Sequence, residues 1–209
     1  MRLSKAHNLN LRDGDVIYYP NFLNKNEAEK YFKYLRNNLE WQQDKITVFG
    51  KTYDQPRLTA FFGNNSNPYS YSGLTMHPKS FENDLLQLKN LIEKEFKLEF
   101  TSCLANLYRD GSDSNGWHAD NEKELGINPI IASVSFGEPR VFHFKHKRDK
   151  THRTKLVLTH GSLLLMQGST QENWLHQLPK TKKQIGERIN LTFRIIPQKN
   201  RVPSNSVLS

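Results

Sequence analysis

The sequence predicts an α+β chain, mainly β: a β-sandwich or jelly roll with early helices packed on one face. Three observations carry that reading. Two segments in the first half repeat apolar residues at helical spacing, and many short segments alternate as strands do. The 209 residues are enough for one well-filled core and too few for two comfortable ones.

The first helix is signalled by Asn24 with Glu27 three residues on, a capping box, followed by the stripe Ala28, Tyr31, Phe32, Leu35 and Leu39. The second follows Pro78 and runs through Phe81, Leu85, Leu88, Ile92 and Phe96. Strands are expected at 15–19, 46–49, 57–62, 102–108, 130–136, 141–146, 155–159, 162–166, 174–178 and 188–196. A double-sheet barrel of this kind has a mouth through which a ligand can enter. One domain is expected over 1–198, with 199–209 a loose tail lacking periodicity.

Lys and Arg number 30 against 21 Asp and Glu, a net charge of +9. That balance favours a polyanionic partner, since each cation set against a phosphate releases condensed counterions. Cys103 is the single cysteine, which rules out a disulfide within the chain and a cysteine-rich zinc module, and suits a reducing compartment. No signal-peptide core or bilayer-length apolar run is present, so the expectation is a cytoplasmic protein without a membrane partner, nuclear if the source is eukaryotic; one domain with one basic face is expected to be a monomer.

His118 and Asp120 stand two positions apart, so in an extended strand an imidazole and a carboxylate share one face. His176, on a later expected strand, offers a third ligand. Two histidines and a carboxylate form the facial triad of non-haem Fe(II) oxygenases, which leaves open positions for co-substrate and oxygen. The strand at 188–196 adds an anion site. Ile189, Leu191, Phe193 and Ile195 face one way, while Arg188, Asn190, Thr192 and Arg194 face the other. Two guanidiniums are costly to turn inward without an anion, and a dicarboxylate such as 2-oxoglutarate meets that need through paired charge-assisted hydrogen bonds. The other reading is an amphipathic strand with its polar face in water. Asn106 and Tyr108 share a face of their strand and add donors.

Asn106-Leu-Tyr108, Gly111, Asp113, His118-x-Asp120, His176 and Arg188-x-Asn190-x-Thr192-x-Arg194, in this order, resemble the AlkB family of Fe(II)/2-oxoglutarate-dependent dioxygenases across most of residues 40–196. The resemblance implies a double-stranded β-helix core at about 100–196 and a nucleotide-recognition part at about 40–80. It implies Fe(II) on His118, Asp120 and His176. Arg188 and Tyr108 would hold the far carboxylate of 2-oxoglutarate, with Asn190 alongside and Thr192 on the same strand face. Asn106 and Arg194 would lie by the iron-chelating end, and O2 would be the second co-substrate.

Three further stretches resemble the family's duplex-DNA repair members. Phe49, in Val48–Lys51, would wedge into the base stack and offset part of the unstacking cost; alternatively it ends a strand beneath a Gly turn. Tyr71 would stack on a flipped base opposite His118, with the Tyr69 hydroxyl near the lesion or the phosphate. Asn121 stands where related enzymes often carry an acid, so it keeps an acceptor but loses the charge that favours a cationic methylated base; Glu122 could supply that charge. Arg57 is placed with these substrate-side residues. Arg140, Lys145, Lys147, Arg148, Lys150, Arg153 and Lys155 face a single acid, Asp149, and with Lys180, Lys182 and Lys183 they form a phosphate grip or a solvated loop. The expected activity is oxidative demethylation of 1-methyladenine and 3-methylcytosine in duplex DNA, giving formaldehyde, succinate and CO2. RNA as substrate, or a binding module without turnover, are the alternatives.

Overall fold

The computed structural model describes residues 3, 5–48, 50–65, 69–71 and 74–197. Phe49 and the tail at 199–209 lie outside the described residues, as do the side chains of Tyr69 and Tyr71. β1 (His7–Asn8) and β2 (Asp15–Tyr19) precede α1 (Lys25–Asn38). Then come β3 (Lys45–Val48), β4 (Lys51–Asp54), β5 (Leu58–Gly63), β6 (Tyr69–Tyr71), β7 (Leu74–Met76) and α2 (Asn83–Phe96). The second half holds β8 (Ser102–Tyr108), β9 (Asn115–His118), β10 (Ile131–Gly137), β11 (Arg140–His146), β12 (Arg153–Leu158) and β13 (Ser162–Gln167). A short α3 (Thr170–Asn173), β14 (Trp174–Leu178) and β15 (Arg188–Arg194) complete it.

Eleven of these strands form two antiparallel sheets, one ordered β1-β2-β13-β10-β15-β8-β5 and one ordered β12-β11-β14-β9, while β3 pairs with β4 and β6 with β7 in separate hairpins. Neighbours in space are mostly not neighbours in sequence, the mark of a jelly-roll winding rather than a meander. The core has two layers. Leu163, Leu165, Ile189, Leu191 and Phe193 of the large sheet meet Leu35 of α1 and Leu85, Leu88 and Ile92 of α2. On its opposite face Leu104, Ile131, Leu164 and Met166 meet Phe144, Leu158 and Trp174 of the small sheet. The helices therefore cover one face, and the space between the sheets is left for the site.

The helix signals act as written in the sequence. Asn24 accepts from Glu27 N–H, the Glu27 carboxylate accepts from Asn24 N–H, and Ala28, Tyr31 and Leu35 are buried. α2 begins at Asn83, and Phe81, ahead of it, packs against the same core. Among the described residues no helix is long and apolar enough to cross a membrane.

One strand matters for function and carries no apolar alternation: β9, Asn-Gly-Trp-His, which pairs with β14 through an irregular register (His176↔His118, Leu178↔Asn115). It ends at His118. Asp120 falls in the bend beyond it, so the two side chains do not share one extended strand, contrary to the expectation from their spacing. They converge because the chain turns.

Candidate active site

His118 and His176 are brought together by the β9–β14 pairing, their Nε2 atoms 3.1 Å apart. Asp120 Oδ1 lies 3.7 Å from His118 Nε2, and ligand atoms of all three residues lie within 4.8 Å of one another. The His118 Nδ1–H donates to Gly116 O at 2.7 Å, which leaves Nε2 an acceptor that faces the other two groups and is also met by Asn115 Nδ2 at 3.2 Å. Asp120 divides its carboxylate: Oδ2 pairs with Arg194 Nη2 at 3.0 Å, while Oδ1 is buried without a hydrogen-bond partner among the described residues. Two facing imidazole nitrogens and an unsatisfied buried carboxylate oxygen are poor company for one another. They fit one divalent cation, whose bonds of about 2.1 Å at right angles set neighbouring donors about 3 Å apart.

Electrostatics prepare this set for a cation. Burial pushes the His176 imidazole down to about 3, helped by His118 and Arg194, so it is neutral at pH 7. Burial also lowers His118, against the pull of Asp120, so their approach is not an ion pair. Burial alone would raise Asp120, but Arg194 and the two histidines outweigh it and hold the carboxyl at about 2. The three groups thus stand as two neutral imidazoles and one carboxylate, the forms that bind metal. The Phe142 ring stacks on His176 at 5.3 Å and limits its rotation.

The polar face of β15 lines the same cavity, together with Asn106, Tyr108 and the triad. Register puts Arg188 opposite Tyr108 and Asn190 opposite Asn106 on β8. The Arg188 guanidinium lies 5.3 Å from the Tyr108 ring centroid, and its Nη2 donates to Ser135 Oγ at 2.9 Å. Burial lowers it to about 10. Asn190 Nδ2 donates to Ser133 Oγ and Val134 O, and its Oδ1 accepts from Thr192 Oγ1 at 3.0 Å. Asn190 and Thr192 therefore shape the wall and spend those hydrogen bonds inside the protein. Cavity and triad make one site, with a metal-ready end at Arg194 and an anion-ready end at Arg188.

The 2OG-Fe(II) oxygenase superfamily profile matches residues 15–194. The chain belongs to that superfamily. Within it, the relatives are of the AlkB type. Over 190 residues it is 44% identical to the alpha-ketoglutarate-dependent dioxygenase alkB homolog 3 of Bos taurus, with 87% of this chain and 66% of that protein aligned. The Homo sapiens homolog 3 is 42% identical over the same shares. The Homo sapiens DNA oxidative demethylase ALKBH2 is 38% identical over 188 residues, 85% of this chain and 72% of that protein. The chain thus spans just under two thirds of the length of the homolog 3 proteins. The solved structure of OsALKBH1 superposes with a TM-score of 0.64 at 17% identity, covering 91% of this chain and all of that one, which shows the shared fold.

In this 2OG-Fe(II) oxygenase the substrate-side residues are distributed unevenly. Arg57, expected to face substrate, is 4% exposed. Its Nε donates to Asn106 Oδ1 at 2.8 Å, which turns the Asn106 amide nitrogen away from that contact. Asn121 is exposed and Glu122 half-buried, both directly after the Asp120 bend. Tyr69 and Tyr71 lie in β6, paired with β7.

The expected phosphate grip also needs correction at Arg140. It is 4% exposed and donates to the carbonyls of Asp110, Asp113 and Pro179. It pins the loop that leads into β9. Arg140→Gln is expected to destabilise the fold by about 3 kcal/mol in denaturant unfolding and to leave the salt dependence of polyanion binding unchanged. Lys145 lies 4.2 Å from the Trp117 ring centroid and Lys147 donates to Gln171 O, whereas Arg148, Lys150, Arg153 and Lys155 are exposed.

Sequence reasoning missed Ser133, Ser135 and Gln171. The serines had a signal, since they alternate with Val134 on a strand otherwise apolar. Gln171 had none: it is buried and its Oε1 accepts Asp120 N–H at 2.9 Å across 51 residues of chain.

Proposed function

We propose that this chain is an Fe(II)- and 2-oxoglutarate-dependent dioxygenase that removes alkyl groups from ring nitrogens of nucleic-acid bases, with 1-methyladenine and 3-methylcytosine in DNA as first substrates. The observation that carries the reading is one buried cavity with a His118/Asp120/His176 triad and, on its β15 wall, Arg188 set against Tyr108. His118 Nε2, Asp120 Oδ1 and His176 Nε2 would hold the iron. Arg188 and Tyr108 would take the far carboxylate of 2-oxoglutarate, and Asn106, turned by Arg57, would offer its amide nitrogen nearer the metal. Bound there, Fe(II) with O2 and 2-oxoglutarate supplies oxidation of the alkyl C–H bond, one oxygen atom leaving in succinate beside CO2 and the other on the carbon that departs as formaldehyde.

The protein's own part is placement. Arg194 holds Asp120 ionised and points one oxygen inward, Gly116 O fixes the His118 tautomer, and apolar walls at Leu104, Met166 and Leu178 keep water from the centre. On the substrate side Tyr71 and Tyr69 would stack and position a flipped base, Phe49 would fill its gap, and Asn121 or Glu122 would meet its exocyclic amine. These assignments follow from the AlkB resemblance, as does the division into a recognition part at 40–80 and a core at 100–196. The similarity to ALKBH2, a DNA oxidative demethylase, supports DNA over RNA. The exposed Lys150, Arg153, Lys155 and Lys180–Lys183 cluster suits a phosphate backbone.

The test is one 3-methylcytosine placed in duplex DNA, single-stranded DNA and RNA of the same sequence. Turnover on both DNA forms is expected to exceed that on RNA, and Phe49→Ala is expected to lose activity mainly on the duplex. Turnover on RNA alone would reassign the substrate. Equal loss on single strands would remove the wedge.

A further inference from the structure

β9 stops at His118, so no strand ladder aligns the main chain of Asp120. A side chain does. Gln171 is 1% exposed; its Oε1 accepts Asp120 N–H at 2.9 Å and its Nε2 meets Met166 Sδ at 3.6 Å. The four-residue α3 that carries it is fastened on several sides. Thr170 Oγ1 accepts from Asp15 N–H at 2.8 Å, Asn173 Nδ2 donates to Asp13 O at 3.1 Å, and Trp174 Nε1 donates to Arg12 O at 2.8 Å. Lys147 Nζ donates to Gln171 O at 2.8 Å from the β11 side. A turn this short has little stability of its own, and these bonds give Gln171 a fixed address.

We propose that Gln171 is a positioning residue for the metal ligand Asp120. Its carbonyl holds the bend so that Oδ1 faces the two histidine Nε2 atoms, while Arg194 holds Oδ2. Without the acceptor, the Asp120 N–H is a buried donor with nothing to bond, and the bend relaxes toward another partner. The proposal rests on the reading that Asp120 binds the metal.

The experiment is an anaerobic Co(II) titration of the metal-free protein, followed by visible absorbance, with the thermal midpoint of each variant measured alongside. Gln171→Met keeps the length and volume of the side chain and removes the carbonyl; it is expected to bind Co(II) about 10- to 100-fold more weakly, with a changed band shape. Gln171→Glu keeps an acceptor oxygen and is expected to recover most of that loss. Asp120→Ala is expected to lose Co(II) binding. Wild-type affinity and spectrum in Gln171→Met would overturn the proposal, as would equal weakening in the Met and Glu variants that merely tracks lost thermal stability. Should Gln171→Met fail to fold, Gln171→Asn, whose carbonyl is withdrawn by one methylene, takes its place with the same two outcomes. Wild-type binding by Asp120→Ala would instead remove the metal assignment beneath it.

Discussion

Arg188→Met is expected to weaken 2-oxoglutarate binding by about two to three orders of magnitude while leaving the ligand-free protein at least as stable as the wild type. Arg188 is 2% exposed, and among the described residues no carboxylate pairs with it. Tyr108 and Ser135 are its polar neighbours. A guanidinium buried in this way costs the apoprotein free energy, which its fall to about 10 reports. A methionine of similar length fills the space without that cost, since replacing buried charge by apolar bulk is often neutral or stabilising. The dicarboxylate then has no fork to meet it, a loss of about 2–5 kcal/mol for one partner of a buried charged pair. Calorimetric titration with 2-oxoglutarate, beside thermal unfolding of the free protein, measures both halves. Unchanged affinity would remove the anion-site assignment. A large loss of stability without ligand would mean that Arg188 is a structural bond of the fold.

Asp120→Ala and His118→Ala are both expected to abolish turnover, and they are expected to differ in stability. Asp120 offsets the charge of Arg194, itself 3% exposed, through a 3.0 Å ion pair. Removing one partner of a buried pair costs about 3–5 kcal/mol. His118 is half-buried, is neutral, and faces the metal position, so its loss is expected to cost little. The Asp120 contribution also has a pH signature. Its carboxyl is held at about 2 against an ordinary 3.8, so the stabilisation is complete above about pH 4 and is lost as the pH falls toward 2. In Asp120→Ala that part of the acid transition is expected to be missing. Near-normal turnover in either variant would remove the triad assignment.

Period and spacing made the chemistry of β15 legible. A strand with Ile189, Leu191 and Phe193 on one side and four polar residues on the other has to face an apolar layer and something anionic or wet. The structure supplies the helix-side core for the first and the cavity for the second. The His118-x-Asp120 spacing pointed to a pair that the structure does bring together, but for an incomplete reason. It assumed one extended strand, whereas a polar, glycine-containing β9 ends at His118 and a bend brings Asp120 round. The residues that hold that bend, Gln171 and Arg194, are 51 and 74 positions away, and no local pattern encodes such distances. Arg57 and Arg140 teach the same lesson from the other side. Arg57 reads as a substrate contact and Arg140, in a basic run, as phosphate-facing or solvated, yet both are buried, where a side-chain amide in one case and three carbonyls in the other accept their hydrogen bonds. Local composition reports charge; only the fold reports its partner.

The central claim is that one cavity couples iron, 2-oxoglutarate and an N-alkylated base. It is tested most directly by formaldehyde release from a duplex carrying 3-methylcytosine, using protein loaded anaerobically with Fe(II), with and without 2-oxoglutarate. The predicted result is release that requires 2-oxoglutarate and is matched by succinate in about equal amount. Contradiction would be a protein shown to hold Fe(II) and 2-oxoglutarate that releases no formaldehyde from the lesion in duplex DNA, single-stranded DNA or RNA.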